Sequence, residues 1–292
     1  MLPSPPAGLS QQNPQILFEL AKFGDRAKDL ENKTPPVLDS KNYTIIRIDG
    51  HCFSTFTKKF KKPIDSRIEK AMVETTKALL QEFTASVGYT QSDEITLLIP
   101  PRLEQKSKEW RPLIFGGRKQ KLESLAAGCA SAYFLYHLGV FALPPKTPLP
   151  YFDARAISVD NEKDVIDLFR WRHTYDCFRN GVSSLALALC CHGKRKGKEL
   201  QNLNTTQRIE LIKQSTGLDD ALEKCPQHLY GTFVKRVQTT ELVQTLHDHK
   251  RDDQPNVVIR NRLHTFTKVD VGDWPTFLEL PSVQKIVGDI VC

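Results

Sequence analysis

Two carboxylates set the chemistry this chain could perform. Asp49 closes the apolar run TIIRID and is followed by Gly50, while Asp93 sits in QSDE between the β-like runs ASVGYT and ITLLIP. A strand ending in one aspartate, a helix, and a hairpin turning at the other would bring the two together. Side by side they would hold two divalent cations roughly 3.5–4 Å apart for in-line attack on a phosphate. Mg²⁺ suits such hard oxygen ligands. Gly50 would let a phosphate or metal approach the main chain and could lend its carbonyl, although an Asp-Gly pair also serves as an ordinary turn. Alternation along the hairpin should turn Glu94 away from Asp93, as a supporting or structural carboxylate. Ser92 reads as a turn residue, and His51 either touches a base or phosphate or is simply a polar residue of its turn. Cys52 lacks a base partner in sequence, and no zinc or serine-hydrolase motif is present.

The elements that must position these groups follow from periodicity. ILFELAKFGDRAKDLE reads as a helix and TPPVLDSKN as a linker into the strand Thr44 to Asp49. Asp65 or Ser66 caps a helix carrying Ile68, Met72, Val73, Ala78, Leu79 and Phe83 at helical spacing. The hairpin comes next, then a helix from about Gln120 to Leu138 rich in small residues, a proline-punctuated stretch and the strand FDARAISV. DVIDLFRWRHTYDCFRNGVSSLALALC is helical with an interruption expected near Gly181, and TTQRIELIKQSTG is a capped helix ending at Gly217. The expected class is α+β: an antiparallel sheet packed with helices, palm-like, with helical additions. Residues 1–15, rich in Pro, Ser and Gln, read as a flexible lead, 16–240 as the catalytic region and 241–292 as an extension of unknown role.

Composition narrows the partners. The 292 residues include 40% apolar types, enough for a substantial core. No apolar run is long enough to span a bilayer, so no membrane partner is expected. Lys and Arg total 41 against 34 Asp and Glu, a net +7 and a pI near 9.0, with clusters at Lys58 to Lys62, Arg118 to Lys121 and Lys194 to Lys198. That distribution favours nucleotides or nucleic acid. Seven cysteines without a C-x-x-C pair fit reduced thiols, and the N-terminus shows neither a secretory core nor an Arg-rich presequence. The cytoplasm is the expected compartment, the mitochondrion the alternative.

Taken together, IIRIDGHCFSTFTKKFKKPID, GYTQSDEITLLI, FGGRKQKLESLAAGCASAYF, YFDARAISV and WRHTYDCFRNGVSSLA resemble the histidine tRNA guanylyltransferase superfamily, with FGDRAKDLE and YGTFVKR as outer blocks. The resemblance implies a polymerase-like palm in which Asp49, Gly50 and Asp93 bind two Mg²⁺ ions. It implies ATP and GTP or other nucleoside triphosphates as substrates and tRNA as partner. The triphosphate contacts map onto Arg118 and Lys121, with Lys62 a further phosphate contact and Ser92 beside the nucleotide. It also implies a homotetramer. Taken on spacing alone, RKQK is equally a solvated first helical turn, although cations there oppose the helix dipole. Where guanylyltransferases proper carry HINN, this chain reads DCFRNGVSS, and FDAR replaces FDGR, so it is closer to the guanylyltransferase-like 3′-to-5′ tRNA repair polymerases. Asp153, Arg155, Asp176, Arg179 and Asn180 either organise the site or form an ion-pair and amide network bracing strand against helix. Lys194 and Lys198 in KRKGK contact RNA phosphates or form a solvated loop.

The expected reaction is therefore templated addition of nucleotides to the 5′ end of tRNA with release of pyrophosphate. Addition of a single G to histidine tRNA is the alternative within the family. Outside it, a palm enzyme making cyclic nucleotides and a silent RNA-binding protein are the rivals. The paired aspartates weigh against the second, because a binding module needs no metal ligands.

Overall fold

The computed structural model describes residues 23–26, 29–30, 33, 35–63, 65–103, 108–139, 143, 145–190, 200, 202–216, 226–243, 246–247, 250–251, 256–267 and 282–284. The expected flexible lead, Lys194 and Lys198 fall outside them, as does Gly217. Of the first expected helix, 23–26 and 29–30 are described, and they are helical.

Chain order runs β1 (Tyr43–Gly50), α1 (Ser66–Glu82), β2 (Val87–Gln91), β3 (Glu94–Ile99), α2 (Lys119–Leu138), β4 (Phe152–Val159) and α3 (Glu162–Arg170). A π-helical turn, Trp171–Asp176, joins α3 to α4 (Cys177–Cys190). Then come α5 (Thr205–Thr216), α6 (Pro226–Tyr230), β5 (Thr232–Val243), the small pair β6 (Leu246–His247) and β7 (Lys250–Arg251), β8 (Asn256–Phe266) and β9 (Ser282–Gln284). Among the described residues one sheet dominates, ordered β4-β1-β3-β2-β5-β8 with β9 beside β5. All its pairings are antiparallel save that of β9. This is the α+β palm expected from sequence. The sheet does not stop at residue 240: β5 crosses that boundary and pairs with β8 along its length.

Local chemistry explains the elements that carry the site. Asp65 caps α1 by accepting from the Arg67 amide, as anticipated. Asn204 and Gln207 exchange side-chain to backbone hydrogen bonds at the start of α5. The interruption expected near Gly181 is not there. Helix α4 runs through it, and Gly181 serves instead for close packing, since a Cβ would lie 2.6 Å from the His228 carbonyl oxygen. The irregularity falls earlier, in the π-helical turn.

Both faces of the sheet are covered. On one, Ile46 and Ile48 of β1 and Ile95 and Leu97 of β3 pack under α1 and α2, and Phe53, Phe56, Phe134 and Phe152 close the end as an aromatic cluster. On the other, Ile45, Leu98, Val87 and Ile157 meet Val165, Leu168 and Phe169 of α3. Because successive residues alternate between faces, this second face changes character along its length. Apolar residues give way to Arg47 beside Arg155, and then to Asp49 flanked by Asp153 and Glu94. No described helix is long and apolar enough to cross a membrane.

Candidate active site

Asp49 and Asp93 meet at the end of the sheet. The Gly50 amide donates to the Asp93 carbonyl at 3.0 Å, and a Cβ on residue 50 would lie 2.9 Å from the Asp93 Cβ and 2.6 Å from the Phe53 ring. Glycine is therefore what allows the hairpin tip to close against β1. Asp93 occupies the turn, and the exposed Ser92, at φ 49°, donates its hydroxyl to the Asp93 carboxylate at 3.0 Å. Glu94 already belongs to β3 and turns away, as alternation requires: it accepts from Arg47 at 2.5 Å, Arg172 at 2.7 Å and Gln91 at 3.0 Å.

The electrostatics distinguish the two aspartates. Burial raises the Asp93 carboxyl to about 6, and repulsion from Asp49 adds to that despite the Ser92 hydrogen bond. Asp49 is also raised, first by burial and then by Glu94, while Arg47, 3.1 Å away, works in the opposite sense. Two carboxylates held together and partly desolvated, with Asp93 lacking an ion pair among the described residues, are a site for a hard cation. Among the described residues no group of three or more Asp, Glu, His or Cys could hold a metal. Mg²⁺ characteristically takes one or two carboxylates and completes its shell with substrate phosphates and water, so the pair fits that ion without a full protein cage.

Beside the pair opens a cleft of 590 Å³. Ser92 and Asp93 line it from the hairpin, Lys62 from the segment before α1, Asn180 and Ser184 from α4, Gln227 and His228 from α6, and Thr265 from β8. Lys62 donates to the Thr57 hydroxyl at 3.2 Å, and burial lowers its pKa. A desolvated ammonium there is poised for an anion.

Arg118 and Lys121, assigned to the triphosphate by resemblance, are not brought to this cleft. The Glu123 carboxylate accepts from the Ala156 amide, and the Ser131 hydroxyl accepts from Phe152, so α2 runs antiparallel along β4. Arg118 thus lies beyond the opposite end of the strand, about 17 Å from Asp49 by helix and strand rise. There it pairs with Val37 in an isolated bridge and donates to the Phe115 carbonyl, while the Lys121 ammonium sits 5.1 Å from the Phe115 ring centre. The turn Gly116–Gly117, both at positive φ, presses against Leu38.

The remaining candidates divide between two sides of β1. Asp153 and Arg155 are exposed on β4, in register with Asp49 and Arg47. Asp176 is buried and accepts from Arg172, Gln91, Arg179 and Asn180. The helical segment DCFRN is therefore braced against the hairpin, through Gln91 and Glu94, and not against FDAR as anticipated. His51 is exposed, stacked on Tyr151 at 4.8 Å. Sequence reasoning passed over Arg47, Gln91 and Arg172. Arg47 shares a strand face with Asp49 two residues on, and Arg172 precedes Asp176 by one helical turn, so spacing carried the signal.

Comparison with known proteins bears on this geometry. A family model described as tRNAHis guanylyltransferase matches residues 24–160. The chain is 31% identical over 262 residues to uncharacterized protein R259 of Acanthamoeba polyphaga mimivirus, covering 84% of both. It is 33% identical over 145 residues to tRNA(His) guanylyltransferase of Schizosaccharomyces pombe, covering 49% of this chain and 52% of the yeast protein, about half its length. In structure it is similar to a bacterial tRNA(His) guanylyltransferase-like protein in complex with ATP, with a TM-score of 0.59 and 28% identity over 81% of this chain and 91% of that one.

Proposed function

The chain belongs to the tRNA(His) guanylyltransferase superfamily and is by that membership a nucleotidyltransferase; from this premise we propose that it extends the 5′ end of tRNA in the 3′-to-5′ direction. Nucleoside triphosphates, ATP and GTP among them, are the substrates, and Mg²⁺ is the cofactor. The observation that carries the reading is the cleft itself, which gathers Lys62, Ser92, Asp93 and Asn180 beside Asp49. Addition is read as templated repair because FRN stands at 178–180 where strict guanylyltransferases carry a different motif.

In this reading Asp49 and Asp93 hold the cations together with substrate oxygens, and Lys62 neutralises a phosphate of the triphosphate. The bound ions supply a lowered hydroxyl pKa and compensation of the charge on the departing pyrophosphate. The chain's own contribution is orientation: the hairpin tip is locked by Gly50, and Asn180 and Ser92 border the nucleotide on either side. Base choice comes from pairing with the opposite RNA strand, so the protein surface needs phosphate affinity more than base readout, in keeping with the net +7 charge. The proposal includes a homotetramer. Arg118 and Lys121 then serve the cleft of a neighbouring copy, since they do not reach their own.

The test is incubation of pure protein and Mg²⁺ with 5′-truncated and full-length histidine tRNA, followed by sequencing of the added residues. Template-complementary residues on the truncated RNA are expected. A single G added only to full-length tRNA would shift the reading to the maturation activity named for the yeast relative. Cyclic nucleotide without labelled RNA would overturn it.

A further inference from the structure

One chain of charged side chains runs from the helix side of the cleft to Asp49. Asn180 and Arg179 donate to Asp176 at 3.5 and 3.2 Å, and a single Arg172 nitrogen bridges Asp176 at 2.9 Å and Glu94 at 2.7 Å. Arg47 then links Glu94 at 2.5 Å to Asp49 at 3.1 Å. Side-chain exposure climbs steadily along it, from 8% at Arg172 and Asp176 to 15% at Glu94, 22% at Arg47 and 35% at Asp49. The Arg172 guanidinium is fixed in orientation by the Trp171 ring, 4.6 Å away.

Such an arrangement is a poor device for stability alone. Desolvating buried charges cancels most of their attraction, and packed apolar residues brace a helix against a sheet at least as well. What the chain of charges does provide is fixed geometry at both ends. Glu94, anchored by Arg172, takes part of Arg47, so that Asp49 is oriented by Arg47 without being fully neutralised by it.

We propose that Arg172 is a positioning residue: through Glu94 and Arg47 it orients the Asp49 carboxylate for a cation, and through Asp176 it holds Asn180 at the nucleotide. The proposal rests on the nucleotidyltransferase reading above, which gives Asp49 a cation and Asn180 a nucleotide. Partners that orient a metal ligand from behind are worth 10–100-fold in metal affinity.

The test uses full-length protein, Mn²⁺ alone followed by electron paramagnetic resonance, and ATP in the presence of EDTA. Arg172→Gln is expected to weaken both bindings about tenfold or more. A lower melting temperature with both affinities unchanged would make the network a brace and overturn the proposal. Should Arg172→Gln fail to fold, Glu94→Gln, which keeps shape and hydrogen bonds, decides: weaker Mn²⁺ binding supports the proposal, unchanged binding overturns it. Asp93→Asn separates this from the parent reading. Loss of Mn²⁺ in Asp93→Asn but not in Arg172→Gln sinks the positioning role alone, whereas retention of Mn²⁺ in Asp93→Asn sinks the two-metal reading itself.

Discussion

The two ends of the sheet carry comparable charge and use it oppositely. At the far end, Arg118 is spent on the Phe115 carbonyl, Lys119 approaches Glu123 at 3.7 Å and Lys121 covers the Phe115 ring. At the cleft end, Asp93 has its pKa pushed up, Lys62 has its pKa pushed down, and neither pairs with the other. A fold that satisfies charge in one place and leaves it strained in another marks the second as the place where a ligand completes the electrostatics.

The contrast breaks most readily at Asp93. Replacing it with Ala should lower nucleotide incorporation by about a thousandfold or more, as loss of transition-state charge stabilisation does, while tRNA retention in a gel shift stays near wild type. Retained turnover would remove the cleft end from the chemistry. Lys62→Ala should raise the apparent Kd for ATP about 10–100-fold, the worth of a hydrogen bond from a charged donor, with little change in melting temperature.

Acidity sharpens the same end. The folded Asp93 pKa of about 6 stands above its ordinary 3.8, so its ionisation costs stability. The metal-free protein should therefore lose stability as pH rises from about 4 through about 6, and Asp93→Asn should lack that slope. Proton competition acts in the other direction on the ligand: Mn²⁺ affinity should fall about tenfold per pH unit below about 6. A flat titration between pH 5 and 7 would contradict the burial argument.

Weaker effects belong to the far end. Arg118→Ala/Lys121→Ala should lose activity only through its neighbour's cleft, so mixing it with Asp93→Ala chains should restore activity that neither has alone. No recovery in the mixture would leave the far end as surface. Within one chain, Lys121→Ala should cost at most about 1 kcal/mol by thermal melting, the scale of an exposed cation–π contact.

How much of this was legible beforehand follows from what periodicity encodes. Strand β1, helix α1, the hairpin and β4 were readable because Ile45 to Ile48 and Ile68 to Phe83 alternate or recur at the right spacing. The meeting of Asp49 and Asp93 was readable from the strand, helix, hairpin order. The position of Arg118 and Lys121 was not, because spacing within α2 says nothing of its direction along β4, which Glu123 and Ser131 set by bonding the strand. The outer strand β8 escaped as well, since its partner β5 follows a region with little periodic signal. The π-helical turn has no local signature: Trp171 and Arg172 are ordinary helix residues until tertiary contacts widen the turn around them.

That wider turn has a consequence for how the chain can change over generations. A π-helical turn accommodates one residue more than an α-helix does in the same rise. Deleting a single residue between Trp171 and Asp176 would let the helix run straight on with good backbone bonding, yet rotate everything downstream by about 100°. Asn180, Gly181 and Ser184 would swing off the cleft together. Insertions and deletions here should be as damaging as substitutions of the residues themselves, so the segment is constrained in its count as much as in its chemistry.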